Sequence, residues 1–376
     1  DAAPNTPGGQ VFREFEEEFS ETTGRIVLDW TPDLSFTDDT MVYFSYSKGY
    51  KGGGINPPID TTLFPNTPTT FDPEDIDAFE VGMKNTLKDG TLQLNGNMFF
   101  YDYGGYQIGK IVNRTSLNEN TDAEIFGLEL EALWAPTENW RLNAAFSYLD
   151  TELDDTDTID PRDPTQGRQD VTLIKDISNT ANCIIEHNGQ VAPSLNPVFT
   201  GTAAAVGLPY LATGAAGGLG IPATPGVSDS AFSVCSALVG LAPALGYVYS
   251  DSITTNLKGN EIQNSPEMTI SLGGQYTWFL SNGMSFSARL DYYWQDEFFS
   301  TTFNRPQDQI NSWDIYNAQF VLSGAEDKWS VTAFIQNIED DDEITGTYQT
   351  DPSSGLYTNA FFIEPRLYGV TFKWRN

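Results

Sequence analysis

The side chains that could do chemistry in this sequence are few and far apart. A single histidine, His187, lies in a polar stretch, and no nucleophile motif accompanies it. A Ser-His-Asp or Cys-His centre would have to use this imidazole as its base. Because nothing in the sequence supplies the rest of such a centre, we predict that the chain is not an enzyme and has no catalytic residues.

Two cysteines, Cys183 and Cys235, fall in the same long loop region of the chain. In an exported protein two such thiols are expected to pair. The sequence therefore predicts a disulfide between Cys183 and Cys235, and two unrelated free thiols are the alternative.

A run of carboxylates marks a candidate cation site. Asp154, Asp155 and Asp157 lie close together at the start of the same region, and calcium prefers such oxygen ligands. Their spacing is not that of an EF-hand, so a solvated acidic loop is the alternative interpretation. No other cofactor is predicted.

An aromatic ring and a cation stand side by side at Tyr50 and Lys51, next to the glycines of residues 52–54. Arg289 supplies a further cation on the polar face of a later strand. We predict that these three residues contact a small-molecule ligand. The alternative is an aromatic girdle followed by a mobile loop.

The charge of the chain excludes nucleic acid as a partner, and it also excludes a polybasic membrane-surface protein as the class of this chain. Lys and Arg together number 19 against 52 Asp and Glu, which gives a net charge of −33. Nucleic acid would be repelled by this excess, and a polybasic membrane-surface protein has the opposite sign. Apolar residues make up 39% of the chain, which is too few for a helical membrane protein.

The elements that must position these residues are strands. Between Met268 and Trp294 apolar and polar residues alternate on both sides of the turn Ser281-Asn282-Gly283. Alternation with period two is typical of a strand whose two faces differ. Each run has about 11 residues, where a globular strand has about 5–6 and a strand that spans a bilayer about 9–11.

The same alternation recurs along the chain and predicts about 11 strands, all joined as hairpins. Short turns and long loops alternate between them, as in outer-membrane β-barrels; a large soluble β-protein is the alternative. The longer loops include residues 104–121 and 339–362. The predicted strands are Arg25–Trp30, Thr40–Tyr50, Asp75–Leu87, Thr91–Tyr101, Glu124–Trp134, Trp140–Leu149, Met268–Leu280, Met284–Trp294, Trp313–Ser323, Trp329–Ile338 and Pro365–Arg375.

One connection, residues 150–260, is too long to be a bare loop. We predict a folded insertion stacked over the mouth of the barrel or against a partner, within a single barrel portion that occupies residues 1–376. The odd strand count predicts that the chain begins in the middle of a barrel. Something must then cover the edge of the first strand, because lipid cannot satisfy it.

A further set of stretches is informative when taken together: Phe19-Ser20-Glu21 with Gly24-Arg25, residues 42–56, Phe71-Asp72-Pro73-Glu74, Phe79–Lys84, Ile125–Glu131, Gln336-Asn337-Ile338 and Glu364–Trp374. These stretches resemble the barrel of TonB-dependent outer-membrane receptors. The likeness covers nearly the whole chain except residues 150–260.

The resemblance implies an all-β, transmembrane antiparallel barrel of 22 strands with an N-terminal plug, of which this chain is the C-terminal half without the plug. It implies uptake of a scarce nutrient, often an iron–siderophore complex, driven by the TonB complex. The missing half, as a separate or cleaved chain, would be the partner that contacts TonB. The loops would be extracellular, the C-terminus periplasmic, and the surroundings lipid and lipopolysaccharide. The alternative function is a structural subunit of a surface complex without transport.

The last predicted strand resembles the signal by which such barrels are assembled, with Gly369, Phe372 and Trp374 in place. It departs from the pattern at its end, where Asn376 stands in place of an aromatic residue. We therefore expect a weakened but recognisable signal.

Overall fold

Eleven strands form one antiparallel sheet in which each strand pairs with the next along the chain. The computed structural model describes residues 15–57, 65–112, 115–176, 181–187, 235, 238–239, 242–243, 246–350 and 356–375. The strands are β1 Gly24–Trp30, β2 Asp39–Lys51, β3 Glu74–Leu87, β4 Leu92–Val112, β5 Thr115–Trp134, β6 Trp140–Leu153, β7 Met268–Phe279, β8 Ser285–Gln295, β9 Trp313–Ser323, β10 Trp329–Gln336 and β11 Leu367–Trp374.

The predicted strands are confirmed, with most ends within two residues. The loop predicted over residues 104–121 is wrong, because β4 and β5 continue their ladder up to the pair Val112 and Thr115 after a bulge between Tyr103 and Tyr106. Apolar and polar residues are mixed on one face of this upper ladder, where Ile108 pairs with Glu119 and Lys110 with Leu117, so the regular apolar alternation that marks a strand is missing from the sequence there.

One face of the sheet is apolar from the first strand to the last. Across β2 to β5 the directly paired side chains of one row are Phe44, Val81, Met98 and Leu128. Phe44, Val81 and Met98 are 42%, 43% and 47% exposed. So much exposed apolar surface is stable only against an apolar medium, and this apolar face is the one that contacts lipid in a membrane barrel.

The opposite, polar face pairs Gly82, Asn97, Glu129 and Ser147 in the neighbouring row. Charged side chains in a dry core would be costly, and among the described residues the buried apolar side chains lie in the long connections and in the strand ends next to them. One such cluster contains Ile108, Ala123, Leu153, Leu257 and Ile262. The described sheet therefore has one polar face that suits water and one apolar face, and it does not enclose an apolar core of its own.

The two ends of the sheet differ. Five connections at one end are short turns, such as the one at Lys88-Asp89-Gly90, where all three residues have positive φ. The other end carries long connections built from small ladders and one 3-10 turn, Pro306–Asp308; a second 3-10 turn, Ala325–Asp327, lies among the short turns. The ladders pair Gly54–Ile55 with Thr70–Phe71, Asp157–Ile159 with Thr254–Asn256, Val171–Asp176 with Ala181–Glu186 and Val248–Ser250, Phe298–Phe299 with Gln309–Ile310, and Ile344–Gln349 with Thr358–Phe362.

The sheet is open at both edges. Neither β1 nor β11 has a second neighbour in the part of the chain that the structure describes. All seven residues of β1 are exposed, and so are seven of the eight in β11. Within the same described residues, no helix combines the length and the apolar character that crossing a bilayer requires.

A matched pair of substitutions tests which face meets lipid. Leu272 lies on the apolar face of β7 and Ser271 on the polar face beside it. We expect Leu272→Arg to destabilise the protein in bilayers by about 2–4 kcal/mol, the cost of arginine near the midplane. Ser271→Arg should cost less than half as much. Equal losses in a lipid-reconstituted unfolding titration would contradict the assignment of faces.

Candidate ligand-binding site

The connections at the long-loop end form a joined structure, here named the loop assembly. It adjoins the wall of eleven strands at the end where Tyr50 and Lys51 lie. The loop assembly comprises the described residues of the long connections, within 52–73, 154–267, 296–312 and 337–366, together with the upper ladder of β4 and β5, within 104–123.

The three residues predicted to contact ligand are not brought together. Tyr50 and Lys51 end β2 at the loop assembly, and because neighbours in a strand point to opposite faces, Lys51 shares the polar face while Tyr50 shares the apolar one. Arg289 also lies on the polar face, but near the middle of β8, opposite Gln275 and Gln319. A joint role for the three stays a prediction that the geometry does not support.

Arg289 belongs to a polar network within the wall. Its Nε donates to Asp291 Oδ2 at 2.8 Å and one terminal nitrogen donates to Asn143 Oδ1 at 2.9 Å, with a second bond to Asp291. A Cβ on Gly273 would lie 2.6 Å from the guanidinium, so only glycine leaves space for it. Arg289 borders a groove of about 330 Å³ that Arg141 also lines.

The Tyr50–Lys51 corner is held by carboxylate and amide groups. Lys51 Nζ donates to Glu74 Oε2 at 3.3 Å, and the same oxygen accepts the backbone N–H of Gln107 at 2.8 Å. The hydroxyl of Tyr50 is buried without a hydrogen-bond partner among the described residues. It is therefore the one member of the predicted set whose polar group has no partner in the described part of the chain.

The glycines after Lys51 pack tightly against a neighbouring phenylalanine. A Cβ on Gly53 would lie 2.5 Å from the carbonyl oxygen of Phe71, and one on Gly54 would lie 2.5 Å from its ring. Distances below 3.0 Å force something to move. The glycines thus allow close approach of two chain segments, a role that the sequence interpretation as a mobile loop did not include.

A buried ionic network joins three of the long connections. Arg305 Nη1 lies 2.7 Å from Asp160 Oδ2, and its Nε lies 3.2 Å from Asp308 Oδ2. Arg162 pairs with the other oxygen of Asp308 and donates to Thr358 Oγ1 at 2.8 Å. The carboxylates of Asp160 and Asp308 are 3% and 1% exposed, so these charges are withdrawn from solvent.

The network is structural in character. Burial is the main cause that raises the pKa of Asp160 above the usual carboxyl range, while its hydrogen bonds and Arg305 oppose the rise. Removing one partner of such a pair leaves an uncompensated buried charge. Sequence reasoning missed this network because Arg162 and Asp308 are 146 residues apart, and neither is part of a local motif.

A second buried pair ties the upper ladder of β4 and β5 to the insertion. Lys110 Nζ lies 2.7 Å from Glu119 Oε2, and both groups bond to the hydroxyl of Thr158. The two charged side chains are each 12% exposed. Burial lowers the pKa of Lys110, and the nearby carboxylate of Glu119 opposes that change.

Neutral hydrogen bonds complete the loop assembly. Asn66 Nδ2 donates to Ser250 Oγ at 3.0 Å, which joins the first long loop to the return of the insertion. Asn56, 3% exposed, donates to the carbonyl oxygen of Asn118 at 2.9 Å. Asn260 Nδ2 donates to the carbonyl oxygen of Thr302 at 2.8 Å. The described connections therefore brace one another instead of standing as separate arms.

The predicted disulfide between Cys183 and Cys235 is confirmed. Both half-cystines are buried in a small apolar cluster with Ile174, Ile185 and Ala242. The bridge closes a segment of 52 residues and supplies part of a core for the small three-stranded sheet, which is too small to bury much apolar surface by itself.

His187 lies at the rim of the same small sheet. Its Nε2 is 2.9 Å from Thr172 Oγ1, and its ring packs edge-on against Tyr247. Its Nδ1 is buried and has no hydrogen-bond partner among the residues that the structure describes. Burial lowers the pKa of His187, with Asp170 opposing the shift.

The candidate calcium ligands point to other partners. Asn256 Nδ2 donates to Asp155 Oδ1 at 2.5 Å and to Asp157 Oδ1 at 3.0 Å, while Asp154 faces Lys258 at 3.7 Å. In the described part of the chain, no group of three or more His, Cys, Asp or Glu side chains could hold a metal ion. The calcium prediction thus finds no support in the geometry.

The three residues of the predicted assembly signal lie on the open edge strand β11. A Cβ on Gly369 would lie 2.8 Å from the ring of Phe334 on β10, which explains the glycine. Phe372 and Trp374 are 63% and 62% exposed on the apolar face. An exposed aromatic edge is what a recognition signal requires, and the role itself stays a prediction.

A family model described as "TonB dependent receptor-like, beta-barrel" matches residues 1–220 of the chain. The fold is similar to that of the ferric yersiniabactin uptake receptor FyuA from Yersinia pestis, with a TM-score of 0.54 at 13% identity over 93% of this chain and 36% of that one. The siderophore receptor PiuA from Acinetobacter baumannii gives 0.51 at 16% identity over 93% and 35%. The chain thus spans about a third of the length of these solved proteins.

Substitution of one buried carboxylate tests whether the loop assembly depends on the ionic network. We expect Asp308→Asn to destabilise the connections that it joins by about 3–5 kcal/mol, because Arg162 and Arg305 lose a buried partner. The control, Asp154→Asn, breaks an exposed pair and should cost less than about 1 kcal/mol. Hydrogen exchange of residues 157–162 and 300–310 gives both values, and similar protection in the two variants would contradict the role of the network.

Removal of the disulfide tests the fold of the insertion. The double variant Cys183→Ser, Cys235→Ser should lose up to about 4 kcal/mol in the three-stranded sheet, by the loop-closure argument for a bridge of this span. Amide hydrogen exchange measures this loss, and the exchange rates in β7 and β8 of the wall should stay unchanged. Loss of protection in the wall as well would show that the bridge stabilises more than the insertion.

Proposed function

The chain belongs to the family of TonB-dependent receptor-like β-barrels, and on that premise we propose that it takes part in active uptake of a scarce nutrient across the bacterial outer membrane. In this proposal the chain supplies the C-terminal half of the barrel wall. The cargo is a ferric chelate of the iron–siderophore type. The TonB complex supplies the energy through the plug-bearing half of the receptor.

The observation that carries the proposal is the two-faced sheet with open edges. A wall with one continuous apolar face and one polar face suits a water-lined passage through lipid. The free N–H and C=O groups along β1 and β11 would each cost several kcal/mol in hydrocarbon. Further strands must therefore pair with both edges, and the N-terminal half of a 22-stranded barrel is the partner that fits.

The difference between the two ends of the sheet supports the proposed orientation. Outer-membrane barrels have short turns on the periplasmic side and long loops outside. In that orientation the loop assembly faces the exterior and the C-terminal end of β11 reaches the periplasm. In the same orientation the apolar face contacts membrane lipid, and the carboxylates of the loop assembly face lipopolysaccharide.

The cargo class rests on the named functions of similar proteins and on the polar face. Two similar solved structures are called a ferric yersiniabactin uptake receptor and a siderophore receptor. Such cargo would pass the loop assembly and descend along side chains such as Asn97 and Glu129. A surface scaffold without transport is the competing function, and it needs neither a plug nor a passage.

Growth under iron limitation separates these two functions. We expect deletion of the gene to slow growth with a ferric chelate as the only iron source at least tenfold, and expect loss of TonB to have the same effect. Iron-replete medium is the control, since neither deletion should slow growth there. A plug-bearing segment should co-purify with this chain from outer membranes. Normal uptake in the deletion strain, or purification without a plug, would favour the scaffold.

A further inference from the structure

The cations of this chain are distributed unevenly between its two ends. In the loop assembly and the strand ends beneath it, every Lys or Arg whose side chain the structure describes lies within 4.0 Å of a carboxylate, apart from Arg25 on the open edge. The pairs are Lys48 with Asp75, Lys51 with Glu74, Lys110 with Glu119, Arg162 with Asp308, Arg168 with Asp170, Lys258 with Asp154, Arg305 with Asp160, and Arg366 with Asp340.

Three of these cations are also withdrawn from solvent. The side chains of Lys110, Arg162 and Arg305 are 12%, 14% and 18% exposed. A buried cation that already has a carboxylate cannot serve an incoming anion without breaking that pair, at the high cost of an uncompensated buried charge. The loop assembly thus offers no described cation that is both free and accessible.

Apart from Arg25, the described cations without a carboxylate partner lie in the half of the wall nearer the turns. Lys88 lies 5.0 Å from the ring centroid of Trp134 at a turn, and Arg141 is the second residue of β6, just after another turn. The others are Lys84, Lys373 and Arg375. An anion would meet them only after it had passed the loop assembly.

Carboxylates remain unneutralised where the cations are absent. Glu261, Glu267 and Glu297 are exposed near the roots of the loops. Partial burial and the negative charges of these neighbours, with Asp150 and Asp296, raise the pKa of Glu261. This crowding of carboxylates agrees in sign with the net charge of −33 for the whole chain.

We infer that the cargo is a neutral or positively charged ferric chelate, and that the loop assembly disfavours strongly anionic complexes. This inference rests on the proposed function. A surface of one sign attracts ions of the other and can raise their association rates by factors of about 10–1,000. Like charges placed together at an interface are disfavoured by several kcal/mol. Selection by charge therefore precedes any recognition of shape.

Binding of three ferric complexes to the native protein, purified from outer membranes in detergent, tests the inference. The probes are a cationic linear trihydroxamate, a neutral cyclic trihydroxamate and an anionic macrocyclic tricatecholate. We expect the anionic complex to bind at least tenfold more weakly than either trihydroxamate at low salt. The difference should shrink at 1 M salt, where charges are screened within about 3 Å.

The outcomes separate this inference from the function on which it rests. Equal or tighter binding of the tricatecholate would overturn the charge selection while leaving ferric uptake intact. If no ferric complex binds and iron-limited growth is normal in the deletion strain, both the uptake of ferric chelates and the inference about their charge are wrong.

A pair of double variants locates the effect in the loop assembly. Glu261→Gln with Glu297→Gln removes two exposed charges there, and Glu326→Gln with Asp327→Asn removes two at a turn. We expect the first variant to slow association of the cationic complex about threefold at low salt, since steering depends on the local field. The second should leave the rate unchanged. Equal effects, or none from the first variant, would contradict selection at the loops.

Discussion

The backbone hydrogen bond is the constraint from which the rest of this structure follows. Where lipid replaces water, each N–H and C=O must find a partner within the protein. The antiparallel ladder from β1 to β11 satisfies this condition for every inner strand and leaves it unmet at the two edges. The same ladder fixes the register, so that one row of side chains faces lipid and the next faces water. The need for further strands is thus a consequence of hydrogen bonding rather than of resemblance.

The loop assembly depends on this wall for its geometry. Strands spaced about 4.8 Å apart hold the roots of the connections at fixed separations, and this lets residues far apart in sequence meet. Asp160 and Arg305 form an ion pair in this way, as do Lys110 and Glu119. A cation that holds two loops together in this way is not available to a ligand. In the proposed function, the same few side chains therefore both stabilise the loops and influence the choice of cargo.

The sequence predicted the wall well and the loops poorly, for physical reasons. Apolar alternation marks a strand only where one face meets lipid, so Trp313–Ser323 was predicted to the residue, while the upper ladder of β4 and β5 was missed. The disulfide could be predicted because only two cysteines exist. The buried network of Asp160, Arg162, Arg305 and Asp308 could not, since its members meet through the fold alone. Tyr50, Lys51 and Arg289 were chosen by residue type, which does not report position along the barrel axis.

The central claim is that the sheet separates lipid from water along alternate residues. Nitroxide labels at successive positions of β8, from Phe286 to Tyr293, measure this directly through collisions with oxygen, which dissolves in lipid, and with a water-soluble nickel complex. The account predicts that even-numbered positions collide mainly with oxygen and odd-numbered positions mainly with nickel, with a period of two throughout. A profile without this period, or with both sets of positions shielded from both reagents, would contradict it.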